Sequence, residues 1–394
     1  MLESAQLESA SLGSDRGVIE QAAQLARAYM LNEDVDQAVR TADRALIMAE
    51  RRDLLPIVAD LLITKGASLS SLGRLREGVG LLEAGHRLAE GAGLVGTSLR
   101  AMVNLSGVLP AIDPRAALSL GRTGFESARR LGQRGTALII LSNSAEVALM
   151  AGDPDWAIKE IDGALSLELD PSDRIQMLAI RVQFLAFRGD PYDQRLSELK
   201  ELSAGGPDVQ TRAATLSTSA WVDFVGGRYE AAHASAIEIA GISAINAPPS
   251  YILAARAALT MQDPECARIA LKGLEATGVR GPALTMQREA MEAGLAALEG
   301  RAVEAVNGFR DTGRRLKEVG MVLEVALNGL LSVQLLGSTN PDARGLGEEA
   351  REIFLRSGAR PFIEQLDAAL ATPSDERESV SSPASRRVET AAPS

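Results

Sequence analysis

Residues able to carry out chemistry are scarce in this chain. Histidine and cysteine occur only as His86, His233 and Cys266 among 394 residues. Neither histidine has a second His or Cys at helical spacing, which excludes the common zinc patterns. We expect His86 on the surface and His233 partly buried. A lone cysteine next to Ala267 on an apolar face predicts an inert core residue.

Phosphate-binding and calcium-binding motifs are also missing. No Gly-rich loop is followed by Lys and then Ser or Thr, so the sequence predicts no cradle for a triphosphate. Gly78, Gly80 and Gly85 have the wrong spacing for a dinucleotide fingerprint. The acidic cluster of Glu33, Asp34 and Asp36 lacks EF-hand spacing. We therefore predict no catalytic residue, no cofactor and no metal site.

What the sequence does contain is a helical hairpin centred on a tight turn, Gly226 to Ala232. Before the turn, Leu216, Ala220 and Phe224 recur at helical spacing, and apolar residues recur in the same way after Tyr229. The glycines favour a left-handed C-cap for the first helix. Ala232 is small enough to let the two helices approach closely.

The hairpin repeats along the chain, as a unit that cannot bury its apolar face alone must do. Equivalent second-helix positions, called reference positions here, recur every 35 to 40 residues at Ala38, Gly78, Ala117, Ala157, Gln194, Ala232, Ala267, Ala305 and Ala343. Twelve residues before each, the facing first-helix position is small in six units: Ala26, Gly66, Ala145, Ala220, Ala255 and Ala293. Leu105, Val182 and Leu331 are the exceptions. The sequence predicts an all-α superhelical solenoid of about nine stacked hairpins.

These features resemble the tetratricopeptide-repeat (TPR) family over nearly the whole chain. The small close-approach residues and the turn of Gly227, Arg228, Tyr229 and Glu230 carry the resemblance. The period of about 38 residues exceeds the ~34 of a standard repeat. Longer units resemble the C-terminal repeat regions of bacterial ATPase-linked transcription activators and nucleotide cyclases. The resemblance implies a binding role and no chemistry.

Net charge and hydrophobicity limit which classes of partner and which cellular compartment the sequence favours. The net charge of −11, from 41 basic and 52 acidic residues, argues against direct binding to nucleic acid or anionic lipid. The most apolar stretch, 136–150, falls short of the ~20 residues of a membrane span, and no signal peptide is visible. We expect a soluble, cytoplasmic protein that contacts neither nucleic acid nor membrane.

The array spans residues 17–371 in this interpretation. Residues 1–16 are either the end of a repeat whose first helix is absent, making the chain part of a larger regulator, or an improvised cap. An uncapped first unit could also self-associate.

The fifth unit has a short second helix before Gly205, Gly206 and Pro207, so we expect a kink near 203–208, with a domain boundary as the alternative. Residues 372–394, rich in Pro, Ser, Glu and Arg, predict a disordered tail.

A surface remains as the candidate site. In TPR arrays the first helices line a concave groove, and the position eleven residues before the reference points into it. This column supplies candidate partner contacts at Arg27, Ser106, Glu146, Gln183, Trp221 and Arg256. A tryptophan flanked by Gln and Arg suits a peptide or partner helix. Alternatively, Trp221 fills a gap between units and Arg256 is solvated.

The sequence favours a non-enzymatic module that binds a protein or peptide, as the interaction or sensor part of a bacterial signalling or transcription regulator. A solenoid that senses a small molecule is the alternative. An enzyme with a site not visible in motifs is the third hypothesis, disfavoured by the scarcity of His and Cys.

Overall fold

A computed structural model describes residues 16–204 and 209–371. This part of the chain is helical, with no strand. The helices are α1 (Arg16–Leu31), α2 (Val35–Glu50), α3 (Leu55–Ser71), α4 (Leu75–Gly91), α5 (Val95–Val108), α6 (Pro114–Arg130), α7 (Arg134–Met150), α8 (Pro154–Leu165), α9 (Pro171–Arg188), α10 (Asp193–Ser203), α11 (Val209–Val225), α12 (Tyr229–Ile242), α13 (Ala247–Thr260), α14 (Pro264–Ala276), α15 (Pro282–Leu298), α16 (Ala302–Glu318), α17 (Val322–Leu336), α18 (Pro341–Ser357) and α19 (Arg360–Ala371). A 3-10 turn, Leu109–Ala111, follows α5.

The first eighteen helices form nine hairpins, as the sequence predicts, and α19 follows them and packs on α17 and α18. We number the hairpins as units 1 to 9, from α1–α2 to α17–α18. Each odd helix packs on the next even helix, and neighbouring odd helices pack on each other in every case except α11 and α13. The predicted partial repeat or cap, the centre of the predicted kink and the predicted tail lie outside the described residues.

Small residues at the helix crossing hold most of the hairpins together. Eight of the nine reference positions are buried, and so are all nine facing positions on the first helices. In unit 2 the crossing is formed by two glycines, Gly66 and Gly78. A Cβ at Gly66 would lie 2.8 Å from the Gly78 carbonyl oxygen, and one at Gly78 would lie 2.7 Å from the Gly66 carbonyl oxygen. Any side chain would therefore force these two helices apart.

The turn within most hairpins uses a left-handed residue at a fixed position. Five residues before the reference position the backbone has positive φ in seven units, at Glu33, Gly73, Gly152, Gly189, Gly227, Gln262 and Gly300. In the turn where the sequence offers two glycines, Gly227 takes this role with φ of 76°. The conformation ends one helix and reverses the chain into the next.

Unit 5 departs from the pattern at its reference position. Gln194 is exposed, and α10 has eleven residues, of which Leu199 alone is buried. No close helix crossing of the Ala or Gly type therefore forms in this unit. Instead α9 packs directly on α11 of the next unit.

The superhelix is wound so tightly that successive turns touch. The Gly73 turn of unit 2 lies against Gly278, at the entry to unit 8. Arg115 of unit 3 donates a hydrogen bond of 3.3 Å to the Lys317 carbonyl oxygen. Arg360, at the start of α19, pairs with Asp190 of unit 5 at 2.6 Å. Units five or six positions apart are thus neighbours across a continuous seam.

Within the described ranges, no helix combines the length and apolarity needed to cross a bilayer.

The reference positions provide a test of the packing. Ala232 is fully buried, whereas Ala234 on the same helix is exposed. We expect Ala232→Leu to lower the free energy of unfolding by about 1–3 kcal/mol, because the added volume separates α11 from α12. Ala234→Leu, the matched control, should change it by less than about 0.5 kcal/mol. Urea denaturation followed by circular dichroism measures both, and equal effects would contradict the assigned crossing.

Candidate functional site

The odd-numbered helices line the inside of the superhelix. They contact one another across its axis, with α7 and α13 both packing on α17, and α9 packing on α19. The six candidate residues lie on α1, α5, α7, α9, α11 and α13, so all six come from the inward-lying helices. Their surroundings differ sharply between the two halves of the array.

Trp221 and Gln183 contact each other directly. The Trp221 indole Nε1 donates a hydrogen bond of 3.2 Å to the Gln183 carbonyl oxygen, and the Gln183 side chain donates to Thr218 Oγ1 at 3.3 Å. The Trp221 ring stacks on Phe224 with centroids 6.1 Å apart. Both candidate side chains remain half-buried.

Helix α19 covers the inward face of units 5 and 6. Its Phe362 is fully buried and lies 6.0 Å from the Trp221 ring and 6.1 Å from the Phe187 ring, between centroids. Gln365 fixes the helix through a 2.8 Å hydrogen bond to the Val225 carbonyl oxygen. The C-terminal helix of the described chain thus occupies the place that the sequence analysis assigned to a partner beside Trp221.

Arg256 is engaged in a buried ion pair. Its guanidinium donates to the Glu324 carboxylate of α17, and both side chains are less than a tenth exposed. The Arg256 Nε is buried without a hydrogen-bond acceptor in the described part of the chain. Such a pair depends on both members, since removing either leaves a buried charge.

Glu146 lies near this pair and carries a perturbed carboxyl group. Its side chain is reached by solvent, yet the surrounding helices remove much of its hydration. This desolvation raises the pKa of Glu146, and the negative charge of Glu324 raises it further. Across residues 16–204 and 209–371, no arginine or lysine pairs with the Glu146 carboxylate.

Arg27 lies at the other end of the inward face, beside Arg100. The Arg100 guanidinium pairs with Asp60 at 2.8 Å and donates to Thr64 Oγ1 at 3.1 Å. Burial lowers the pKa of Arg100, and the neighbouring Arg27 adds to this effect. Asp60 is thus taken by Arg100, and Arg27 has no acidic partner among the described residues.

Ser106 has a structural environment. It is buried, donates to the Val103 carbonyl oxygen at 2.8 Å and accepts from Asn143 Nδ2 at 3.0 Å.

The structure thus brings Gln183 together with Trp221, and links Glu146 to Arg256 through Glu324. Arg27 and Ser106 stand apart from both groups. Sequence periodicity gave no signal for Glu324, which lies 68 residues from Arg256.

The histidines and the cysteine make local contacts. His86 Nδ1 lies 3.1 Å from Ser98 Oγ, and His233 Nδ1 lies 3.0 Å from the Ala254 carbonyl oxygen. A hydrogen bond with Asp263 raises the pKa of the Cys266 thiol, which keeps it protonated and poorly nucleophilic. No group of three potential metal ligands occurs in the described ranges.

Comparisons with known proteins find likenesses of overall architecture only. No family model matches the sequence, and no curated protein matches it. Yeast Tom70 shares 12% identity, with 96% of this chain and 94% of that chain covered and a TM-score of 0.37. The apo form of the quorum sensor NprR from B. thuringiensis shares 11% identity, with 85% and 87% covered and a TM-score of 0.36. A circular tandem repeat protein with a novel repeat topology shares 16%, with 94% and 86% covered and a TM-score of 0.17. These values assign no family, and the TPR-like fold rests on the hairpins of this chain.

The buried ion pair provides the first test of the inward face. Arg256→Met leaves the Glu324 carboxylate buried and unpaired, which should lower the free energy of unfolding by about 3–5 kcal/mol. The double variant Arg256→Met with Glu324→Leu removes both charges and should recover most of that loss. Chemical denaturation compares the two. A double variant as unstable as the single one would mean that packing, rather than charge, dominates here.

Glu146 provides a test through pH. Since its pKa is raised above the unfolded value of about 4.3, the stabilising contribution of its protonated form is complete below that pH. This contribution is lost as the pH rises through the folded-state pKa. Glu146→Gln should therefore raise the melting temperature at neutral pH, and the gain should vanish near pH 4. Glu126→Gln, on an exposed residue, is the control, and an equal gain from it would contradict the assignment.

Proposed function

We propose that this chain is a non-enzymatic module that binds a protein or peptide along the inward face of units 1 to 4. The observation that carries the proposal is the pair of unmatched charges there. Arg27 on α1 lacks an acidic partner, and the solvent-reached Glu146 on α7 lacks a basic partner, among the described residues. An unpaired charge that has lost part of its hydration costs free energy. A partner that places the opposite charge beside it can offset that cost.

The separation of these charges favours a polypeptide partner. Three steps between neighbouring first helices lie between α1 and α7, and helix axes pack at 8–10 Å, so the charges are about 24–30 Å apart along the inner surface. A segment of polypeptide with an acidic residue near one end and a basic residue near the other spans this distance. Gln183 and Trp221, both half-buried, lie beyond this surface in units 5 and 6, at its border with the part that α19 covers. Ser106 is buried behind this surface. Arg256 is linked to Glu146 through its ion pair with Glu324.

We further propose that the module is the interaction or sensor part of a bacterial signalling or transcription regulator, acting in the cytoplasm. Two features support this finer assignment. The hairpins are longer than a standard TPR unit and resemble the long repeats of such regulators. The single cysteine, Cys266, suits a reducing compartment.

A charge-exchange variant tests the proposal. Arg27→Glu with Glu146→Arg keeps the net charge and places each new charge beside one of opposite sign, Arg100 or Glu324, so the fold should persist. We expect affinity purification from the native host to recover a protein or peptide with the wild type, and at least about tenfold less with the exchange variant. Mass spectrometry identifies what is bound.

The control exchange uses exposed residues on even-numbered helices. Arg44→Glu with Glu126→Arg changes the same charges away from the inward face and should retain the partner. Equal recovery with all three proteins would refute binding at Arg27 and Glu146. A wild type that retains only a small molecule would refute the polypeptide partner.

A further inference from the structure

A cleft of about 520 Å³ opens on the seam between units 2 and 8. It lies away from the inward-facing residues considered above and is lined by the start of α4, by Ile112 after the 3-10 turn, by the start of α15 and by Arg315 of α16. Four arginines line it, Arg74, Arg76, Arg280 and Arg315, against one carboxylate, Glu77. This is a concentration of positive charge in a chain whose net charge is −11.

The floor of the cleft is a rigid contact between backbone segments. A Cβ at Gly73 would lie 2.9 Å from the Gly278 carbonyl oxygen, so the two turns touch. A Cβ at Gly281 would lie 2.9 Å from the Ala111 carbonyl oxygen and equally close to the Leu75 side chain. The backbone segments that carry the arginines on the two sides of the seam are therefore fixed against each other, and the arginines line one cleft.

Two of the four arginines have no acidic partner within residues 16–204 and 209–371. Arg74 pairs with Glu77, and Arg315 pairs with Glu289. Arg280 donates only to the carbonyl oxygen of its neighbour Val279, at 3.0 Å, and no carboxylate of the described residues pairs with Arg76. These two side chains come from opposite sides of the seam, are both exposed and remain available to an anion.

The backbone adds to the positive potential. Helix α4 begins at Leu75 and α15 at Pro282, and residues of both first turns line the cleft. The first amide N–H groups of a helix have no acceptor within it and carry partial positive charge. The Thr285 side chain lines the cleft beside them. Guanidinium groups and free amide groups together are the donors that bind phosphoryl oxygens best.

We propose that this cleft binds a small anion bearing at least two phosphoryl groups, with Arg76 holding one group and Arg280 the other across the seam. The volume falls in the ~300–1,000 Å³ range of small-molecule sites. Two separated arginines favour an anion with charge at two points over a single phosphate. Because the ligand contacts units 2 and 8 together, its binding stabilises the contact between superhelical turns.

The test uses inorganic pyrophosphate and ATP as probes at constant ionic strength, with isothermal titration calorimetry and thermal melting. We expect saturable binding at a one-to-one ratio and a rise in melting temperature for the wild type. Arg76→Gln with Arg280→Gln should weaken binding by about tenfold for each arginine removed and abolish the thermal shift. Preference for ATP over pyrophosphate would indicate a nucleotide, and equal affinity an oligophosphate.

The matched control is Arg44→Gln with Arg51→Gln, which removes two exposed positive charges from unit 1. It should bind both probes as the wild type does. If binding were weakened equally in the two double variants, the change in net charge would account for the effect, and the proposed site would be refuted. Absence of saturable binding of either probe to the wild type would overturn it as well. Circular dichroism confirms that each variant is folded, which surface substitutions of this kind permit.

Discussion

The close crossing of two helices over small residues is the constraint on which this structure depends. At Gly66 and Gly78 the two backbones almost touch, and alanine keeps the corresponding crossings short in most other units. Each hairpin is rotated slightly relative to the one before it, and this rotation accumulates along the array. The accumulated rotation brings unit 2 against unit 8 and unit 5 against α19. The interior and the seam both result from this pitch.

The side chains inside the superhelix differ in kind between its two halves. In the C-terminal half, α17 and α19 fill the axis, with Phe362 among the aromatic rings of units 5 and 6. In the N-terminal half the inward face carries Arg27 and Glu146, whose charges have no partner of opposite sign among the described residues. The Arg256–Glu324 pair lies at the boundary, because Glu324 meets Arg256 on one side and influences Glu146 on the other. Helix α17, which carries Glu324, therefore lies where the filled C-terminal half of the interior ends.

Sequence periodicity predicted the parts of this fold that are local to one hairpin. The buried reference alanines, the left-handed Gly227 and the short α10 all follow from spacing and turn chemistry within about 40 residues. Periodicity did not predict α19 as a separate helix, although Gly358 and the spacing of Phe362 and Leu366 mark one. It also could not pair Arg256 with Glu324, or bring Arg76 near Arg280. Those contacts depend on the superhelical pitch, which sums small angles over several units and has no signature in a single repeat.

The same dependence on pitch ties the interior to the seam. The arginine-lined cleft lies between units 2 and 8, and Glu146 of unit 4 is influenced by the charge of Glu324 in unit 9. Neither contact forms within one hairpin, so both depend on the rotation that each unit adds to the next. A substitution that widens one helix crossing changes that rotation and therefore disturbs the interior and the seam together.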